Sequence, residues 1–339
     1  MLVGHSTWKF NQQPAIISTG VVGGPFEANG KIANDFDLLH EDLWLEQDSF
    51  EQAQQKMLEE AAEIAMDKAQ ISKGQIEFFI GGDLINQITP TTFAAKTIGV
   101  PYLGLFSACA TSVESLALAA SIIDNNGANH ILTGTASHNA AAERQFRYPT
   151  EYGGQKPPTA QWTVTGSGCA LVGKSETGPI ITSATIGKVI DMGLTDPFNM
   201  GGAMAPAAVD TIIRHLHDLK VDVSHYDLII TGDLGKIGHE ASFDLLVEQN
   251  IGIKKEQYLD CGLLIYNDEQ PVHSGGSGTA CSAVVTYGHI LNRMKNGELK
   301  RVLFVATGSL HSPMSVQQKE TIPCIAHAVS IEYKAGDVT

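Results

Sequence analysis

Gln75-Ile-Glu-Phe-Phe-Ile-Gly-Gly-Asp-Leu84 returns 150 residues later as His225-Tyr-Asp-Leu-Ile-Ile-Thr-Gly-Asp-Leu234. In both copies a polar start leads into an apolar run of strand length, which stops at glycine and an aspartate-leucine pair. Two more matches flank this one in the same order. His130-Ile-Leu-Thr-Gly-Thr-Ala-Ser137 is echoed by Leu303-Phe-Val-Ala-Thr-Gly-Ser309, with His138 and His311 close behind. Between them, Cys109-Ala-Thr-Ser112 and Gly278-Thr-Ala-Cys-Ser282 each open an alanine-rich stretch. Three matches in one order predict a duplicated chain whose halves, residues 1–177 and 178–339, meet near residue 177.

Strand-length apolar runs alternate with helical patterns, which predicts βαβ units and a largely parallel sheet. The expected strands are 15–22, 76–81, 102–106, 130–134 and 170–173 in the first half. In the second they are 180–186, 226–232, 262–266, 301–307 and 326–332. Ser49 followed by Gln52 is a capping box, and Phe50, Ala53, Met57, Ile64 and Ala65 form one stripe behind it. Val113, Leu116, Ala117, Ala120 and Ile123 form a second, with Gly127 where a helix C-terminal glycine belongs. Val209, Ile212, Ile213, Leu216 and Leu219 form a third. All three stripes are read as core.

The net charge of −15, from 37 acidic and 22 basic side chains, repels phosphate backbones and argues against nucleic acid as a partner. It also argues against electrostatic adhesion to anionic lipid, though not against docking to a membrane protein. The five cysteines are scattered and never form a CxxC pair, the usage of a reducing compartment without a zinc site. No signal peptide and no run long enough to span a bilayer is seen, so the expectation is a soluble protein whose membrane association is peripheral.

Phe106-Ser-Ala-Cys109-Ala-Thr-Ser112 places a thiol where a strand ends and a helix begins. The helix dipole there is expected to lower its pKa, and the exposed amides can stabilise an oxyanion. Read alone, a small buried structural cysteine is the plainer interpretation. The whole chain, from about Pro14 to Tyr333, resembles the thiolase and β-ketoacyl synthase superfamily. That resemblance implies an α/β thiolase-like fold of two duplicated βαβαβαββ halves, packed in α-β-α-β-α layers. It also implies a Cys109 that carries an acyl group with two partners from the second half. One is a histidine after a strand; the other is a histidine or asparagine before the second central helix. By register Gly232 and Ser277 stand in those places. Glycine and serine are poor donors for a developing oxyanion, which puts condensing activity in doubt and leaves Cys109 a vestigial nucleophile.

Within the superfamily the chain is similar to the stage V sporulation protein AD family of spore-forming bacteria. The residues that carry this are Trp8-Lys-Phe10, Ile76 to Asn86, Ser107 to Ser112, Asp191-Met-Gly-Leu-Thr-Asp-Pro-Phe-Asn-Met200 and His273-Ser-Gly-Gly-Ser-Gly278. This resemblance implies binding of dipicolinic acid and its uptake, with calcium, into the developing spore. It further implies membrane proteins of the same operon as partners and a place at the cytoplasmic side of the spore inner membrane. The superfamily implies a homodimer.

The expected ligand site is a pocket floored by Cys109 and closed by Gly232 and Ser277, enlarged by the missing imidazole. Amides from Gly275 through Gly276 to Gly278 would donate to carboxylates. No cofactor is expected. Calcium would arrive with the ligand, or be held by Asp83 or Asp233, whose plainer role is turn or helix capping. His311 is a ligand candidate; His138 and His273 are weighed as ordinary satisfied histidines, and Arg144 and Arg147 as a solvated loop face. Cys281 is read as packing. His215 and His217 point to different helix faces and make a poor metal pair. The segment 191–206 is read as a loop over the pocket or a subunit contact. Two other functions stand beside the binding protein: a condensing enzyme acylated on Cys109, and a structural subunit of a membrane complex.

Overall fold

A computed structural model describes residues 1–336. Ten strands carry its architecture: β1 (Pro14–Gly23), β2 (Phe78–Gly82), β3 (Tyr102–Gly104), β4 (Ile131–Ser137), β5 (Gly166–Lys174), β6 (Gly178–Thr185), β7 (Leu228–Thr231), β8 (Tyr258–Asp260), β9 (Arg301–Ser309) and β10 (Cys324–Lys334). The order β1-β5-β4-β2-β3 in the first half is repeated as β6-β10-β9-β7-β8 in the second. Pairing repeats as well. In each half the first two neighbouring pairs are antiparallel and the last two parallel. One residue pair, Ala15 with Ile180, joins the two sheets through β1 and β6.

The main helices are α1 (Phe50–Ala69), α2 (Thr89–Ile98), α3 (Thr111–Asp124), α4 (Asn139–Phe146), α5 (Met200–Leu219), α6 (Gly235–Glu248) and α7 (Thr279–Val284). The last runs on through a π-helical segment, Val285–Ile290, into Leu291–Lys295. Helix α1 starts as its sequence requires, with the Ser49 hydroxyl accepting the Gln52 N–H at 3.2 Å, a cap that contributes about 1 kcal/mol. Its stripe of Ala53, Met57, Ala61 and Ala65 is buried. The approach to β1 is close enough that a Cβ on Gly20 would lie 2.0 Å from the Ala61 carbonyl oxygen, so only glycine serves there.

Three apolar clusters show the layering. One joins α1 and α2 to the outer face of the first sheet; another joins α5 and α6 to the outer face of the second. The largest lies between the sheets and is built on α3 and the α7 helix. The five layers are α-β-α-β-α. Across the middle, the hydroxyls of Ser112 on α3 and Ser282 on α7 meet at 2.6 Å.

Several boundaries differ from the sequence reading. Residues 262–266 are not a strand: Cys261–Leu264 is a short helix, and the strand is the preceding Tyr258–Asp260. The Asp260 carboxylate accepts from the amides of Leu234 and Gly235 and the hydroxyl of Thr231, which anchors the end of that strand. The third strand of the first half ends at Gly104, two residues early. Beyond α3, Asn126 takes the left-handed conformation (φ 58°), and Gly127 only closes the turn onto Ile122. Within 191–206, residues from Met200 onward are the first turns of α5, with Pro206 tolerated inside it.

Candidate functional site

After β3 the chain turns through a 3-10 segment, Ala108–Ala110, into α3. Ala108 sits in the left-handed region (φ 48°), a strained conformation for a residue with a Cβ. The surroundings hold it there. Thr111 Oγ1 donates to the Ala108 carbonyl at 2.7 Å and accepts the Ser107 N–H at 3.3 Å. Gly308 of β9 passes so near that a Cβ would lie 2.2 Å from the Ser107 oxygen. The outcome is a buried Cys109 lining a cavity between the halves, together with Phe146, Arg147, Met200, Ser277 and His311. Its free volume is about 30 Å³, roughly one water.

The group facing Cys109 from the second half is Asp233. This buried carboxylate accepts the Gly278 N–H at 3.0 Å and the Thr307 hydroxyl at 2.9 Å. Burial raises its pKa to about 7, against the opposing hydrogen bonds and with the help of Asp260's charge. The Cys109 thiol interacts with the same carboxylate and is pushed well above its ordinary pKa. Burial is the first cause and Asp233 the second; the Gly278 amide and Arg147 oppose them. The expected lowering by the helix dipole is therefore reversed, because burial of the sulfur, with the Asp233 carboxylate beside it, outweighs partial charges at a helix end.

Gly232 does not line the cavity. Its missing Cβ would point at the backbone of Ala306 and Thr307, 3.0 and 3.1 Å away, so no space is gained there. Its carbonyl accepts from the Cys281 thiol at 3.5 Å, which gives Cys281 a structural partner. Ser277 and Gly278 do line the cavity, but the Gly278 amide is spent on Asp233. Gly276 pairs with Trp162 in a two-stranded ladder outside it. Asp83 also lies outside: its oxygens accept from Ile85 N, Thr91 N and Thr91 Oγ1 at 2.7, 2.9 and 2.5 Å, capping the start of α2. His311 is in the wall, its Nδ1 3.1 Å from the Ser309 hydroxyl, and burial together with Arg147 lowers its pKa to about 4. His138 instead caps α4 and reaches the Leu43 carbonyl, while His273 is exposed. His215 is buried between Thr185 and Tyr226, and His217 is exposed on another face.

Arg147 is the residue that the sequence reading undervalued. Its side chain is only 4% exposed. Glu143, one helical turn earlier on α4, accepts from its Nε at 3.0 Å and from Nη2 at 2.5 Å. Lys156 reaches the same carboxylate at 3.0 Å. Burial pushes Glu143 up, yet the two cations outweigh it and its pKa falls. Two of the guanidinium's five donors are used in this pair, and Arg147 also lines the cavity. Arg144, by contrast, is exposed and pairs with Glu51.

For calcium the donor set does not fit. Asp83 and Asp233 have their oxygens committed to protein donors. Among the described residues no group of three His, Cys, Asp or Glu side chains is placed to hold a metal. No described helix is long and apolar enough to cross a membrane.

With this geometry in view, the likeness to known proteins is specific. The family described as Stage V sporulation protein AD (SpoVAD) matches residues 4–332. Stage V sporulation protein AD of Bacillus subtilis (strain 168) is 48% identical over 337 residues, covering 99% of both chains. Among solved structures, 3-oxoacyl-[acyl-carrier-protein] synthase III of Aquifex aeolicus VF5 superposes with a TM-score of 0.59 at 15% identity, covering 94% of this chain and 100% of that one. A Xanthomonas campestris OleA variant gives 0.63 at 13% identity, covering 96% of this chain and 100% of the other. These two likenesses establish the thiolase-like fold.

Proposed function

The chain belongs to the stage V sporulation protein AD family, and from that premise we propose that it is a non-catalytic binding protein for dipicolinic acid, serving its uptake with calcium into the developing spore. The observation that carries this reading is the carboxylate of Asp233 against Cys109. A condensing enzyme needs a thiolate and donors for an oxyanion. Here burial, reinforced by the Asp233 carboxylate, holds the thiol protonated, and that carboxylate also accepts the Gly278 amide. His311 shares the cavity but spends its Nδ1 on Ser309.

Arg147 supplies what an anionic ligand requires: a fixed, buried guanidinium lining a cavity walled also by Cys109, Ser277 and His311. Calcium travels with the ligand as cargo, since the oxygens of Asp83 and Asp233 are committed to protein donors. Membrane proteins of the same operon remain the proposed partners, at the cytoplasmic side of the spore inner membrane, with a second copy of the chain forming a homodimer.

Calorimetry with dipicolinate, with and without calcium, tests this reading. Saturable binding is expected, weakened about tenfold or more by Arg147→Lys, which keeps the charge but loses the fork. No heat under either condition would leave only a scaffold role. Incubation with acyl-coenzyme A should leave the intact mass unchanged. A stable acyl adduct on Cys109 with turnover would make the chain an enzyme instead.

A further inference from the structure

A recess of about 310 Å³ shares no wall residue with the Cys109 cavity. Its walls include Leu2, Trp8, Glu114, Leu118, Ile186 and His327. One side is an N-terminal hairpin, in which Leu2–Val3 pairs with Thr7–Lys9, and Thr7–Lys9 in turn pairs with the end of β6. Asp218 of α5 fixes that hairpin. Its Oδ2 accepts from the amides of His5 and Ser6, each at 3.3 Å, and from the Thr7 hydroxyl at 2.8 Å. The turn at Gly4 (φ 61°) lies so near that a Cβ would be 2.1 Å from Asp218 Oδ1. Another side is α3, which carries Glu114 in its first turn and Leu118 one turn later. The walls are thus held by sheet pairing and by a helix.

Glu114 is the group in this recess whose charge is not answered. Among the described residues no lysine or arginine lines the walls, and Glu114 Oε2 is buried without a hydrogen-bond partner. The Ser6 hydroxyl, on the same wall, is buried and equally unpartnered. Buried polar groups are rarely left so. His327 does not supply the missing charge. Burial lowers its pKa to about 4, its Nδ1 accepts the Gly187 N–H at 3.3 Å, and its Nε2 stands 3.3 Å from the Ser107 hydroxyl. Burial raises the pKa of Glu114, while the Ser107 hydroxyl opposes that rise. The first-turn position on α3 also favours the anion. We infer that this recess binds a primary alkylammonium group, carried by a free amine or by a lysine side chain of a partner protein. The site is independent of the function proposed above. Three N–H donors and no acceptor are what a carboxylate beside a hydroxyl calls for. The ammonium pairs with Glu114 beside the Trp8 indole, whose face attracts a cation. The methylene chain lies along Leu2, Leu118 and Ile186, in a space of about ten waters' volume. The net charge of −15 favours the approach of a cation.

Ligand-observed NMR on the full chain tests this with n-butylammonium, 1-butanol and butyrate, which share a chain and differ in the head. Saturable binding of butylammonium is expected, with butanol and butyrate about tenfold or more weaker. Glu114→Gln keeps the shape of the side chain and should bring butylammonium down to the level of butanol. Trp8→Leu, at a half-buried position, should weaken it about threefold. The ligand series needs no variant, so it decides the matter even if Glu114→Gln fails to fold. Lysine capped by acetyl and methylamide groups separates the two sources. Binding at least as tight as butylammonium assigns the site to a partner's side chain; weaker binding assigns it to a free amine. If the three butyl ligands bind alike, the recess does not select an ammonium. Folded Glu114→Gln binding butylammonium within twofold of the parent would equally overturn the assignment.

Discussion

Replacing Asp233 by asparagine is expected to speed alkylation of Cys109 by iodoacetamide about tenfold to a hundredfold at pH 8, the gain expected from lowering a thiol pKa by one to two units. Asparagine keeps the volume of the side chain and an acceptor for the Thr307 hydroxyl. It removes the buried negative charge that, after desolvation, is the main cause of the raised Cys109 pKa. It also loosens the carboxylate's hold on the Gly278 amide, which can then support the thiolate. Peptide mapping of the alkylated protein reads out each cysteine separately, so Cys169, Cys261, Cys281 and Cys324 serve as internal references. Equal rates at Cys109 in the variant and the parent would mean that burial alone governs the sulfur. The case for a deliberately silenced thiol would then collapse.

Substituting Glu27 by glutamine should change the pH dependence of stability. Glu27 is fully buried, accepting the Tyr266 hydroxyl at 2.5 Å and the Thr165 N–H at 3.1 Å, and burial raises its pKa from 4.5 to about 7. A folded-state pKa above the unfolded value means that the folded protein holds the extra proton. That contribution is fully present below about pH 4.5 and is lost as the pH rises through 7. Other groups act in the opposite sense. Burial lowers His138, His311 and His327 to about 4 and His215 to about 3, which favours the folded state at higher pH. The whole-protein curve therefore mixes the two, and the diagnostic is the difference between parent and variant. The parent's advantage over Glu27→Gln should be about 2 to 3 kcal/mol greater at pH 5 than at pH 8 by urea unfolding. Parallel curves would show that Glu27 does not titrate in this window.

Much of the architecture was legible because it depends on local periodicity repeated twice. The Phe78–Gly82 and Leu228–Thr231 strands are each an apolar run, and the repeat around them marks two related halves, whereas the expected largely parallel sheet is half antiparallel, through β1-β5, β5-β4, β6-β10 and β10-β9. The Gly262–Tyr266 error has a plain cause. A five-residue apolar run carries no period that separates strand from buried helix. Met200 to Pro206 read as a loop because glycine and proline usually break helices, whereas here they form the start of α5, with Pro206 inside the helix.

The site was less legible because its chemistry is set across the chain. Cys109 was visible as a thiol at a helix start, but the sign of its pKa shift depends on Asp233, 124 residues away. The sequence register assigned Gly232 to face it; the backbone instead turns that position toward β9 and presents the next side chain. Arg147 was dismissed for its polar, proline-containing neighbourhood. One local signal was available: Glu143 and Arg147 are four apart, the spacing of an ion pair on one helical face. Lys156 completing that pair, and Trp162 lying beneath it, are facts of tertiary packing alone.

All five sulfhydryls, at Cys109, Cys169, Cys261, Cys281 and Cys324, are buried, and burial drives every one of them upward in pKa. Peroxide and atmospheric oxygen attack the deprotonated sulfur, and a stray disulfide needs a partner that can reach it. The folded molecule withholds the first. Its shelf life is thereby uncoupled from the supply of reductant around it, an advantage for any component that must outlast a long metabolic standstill.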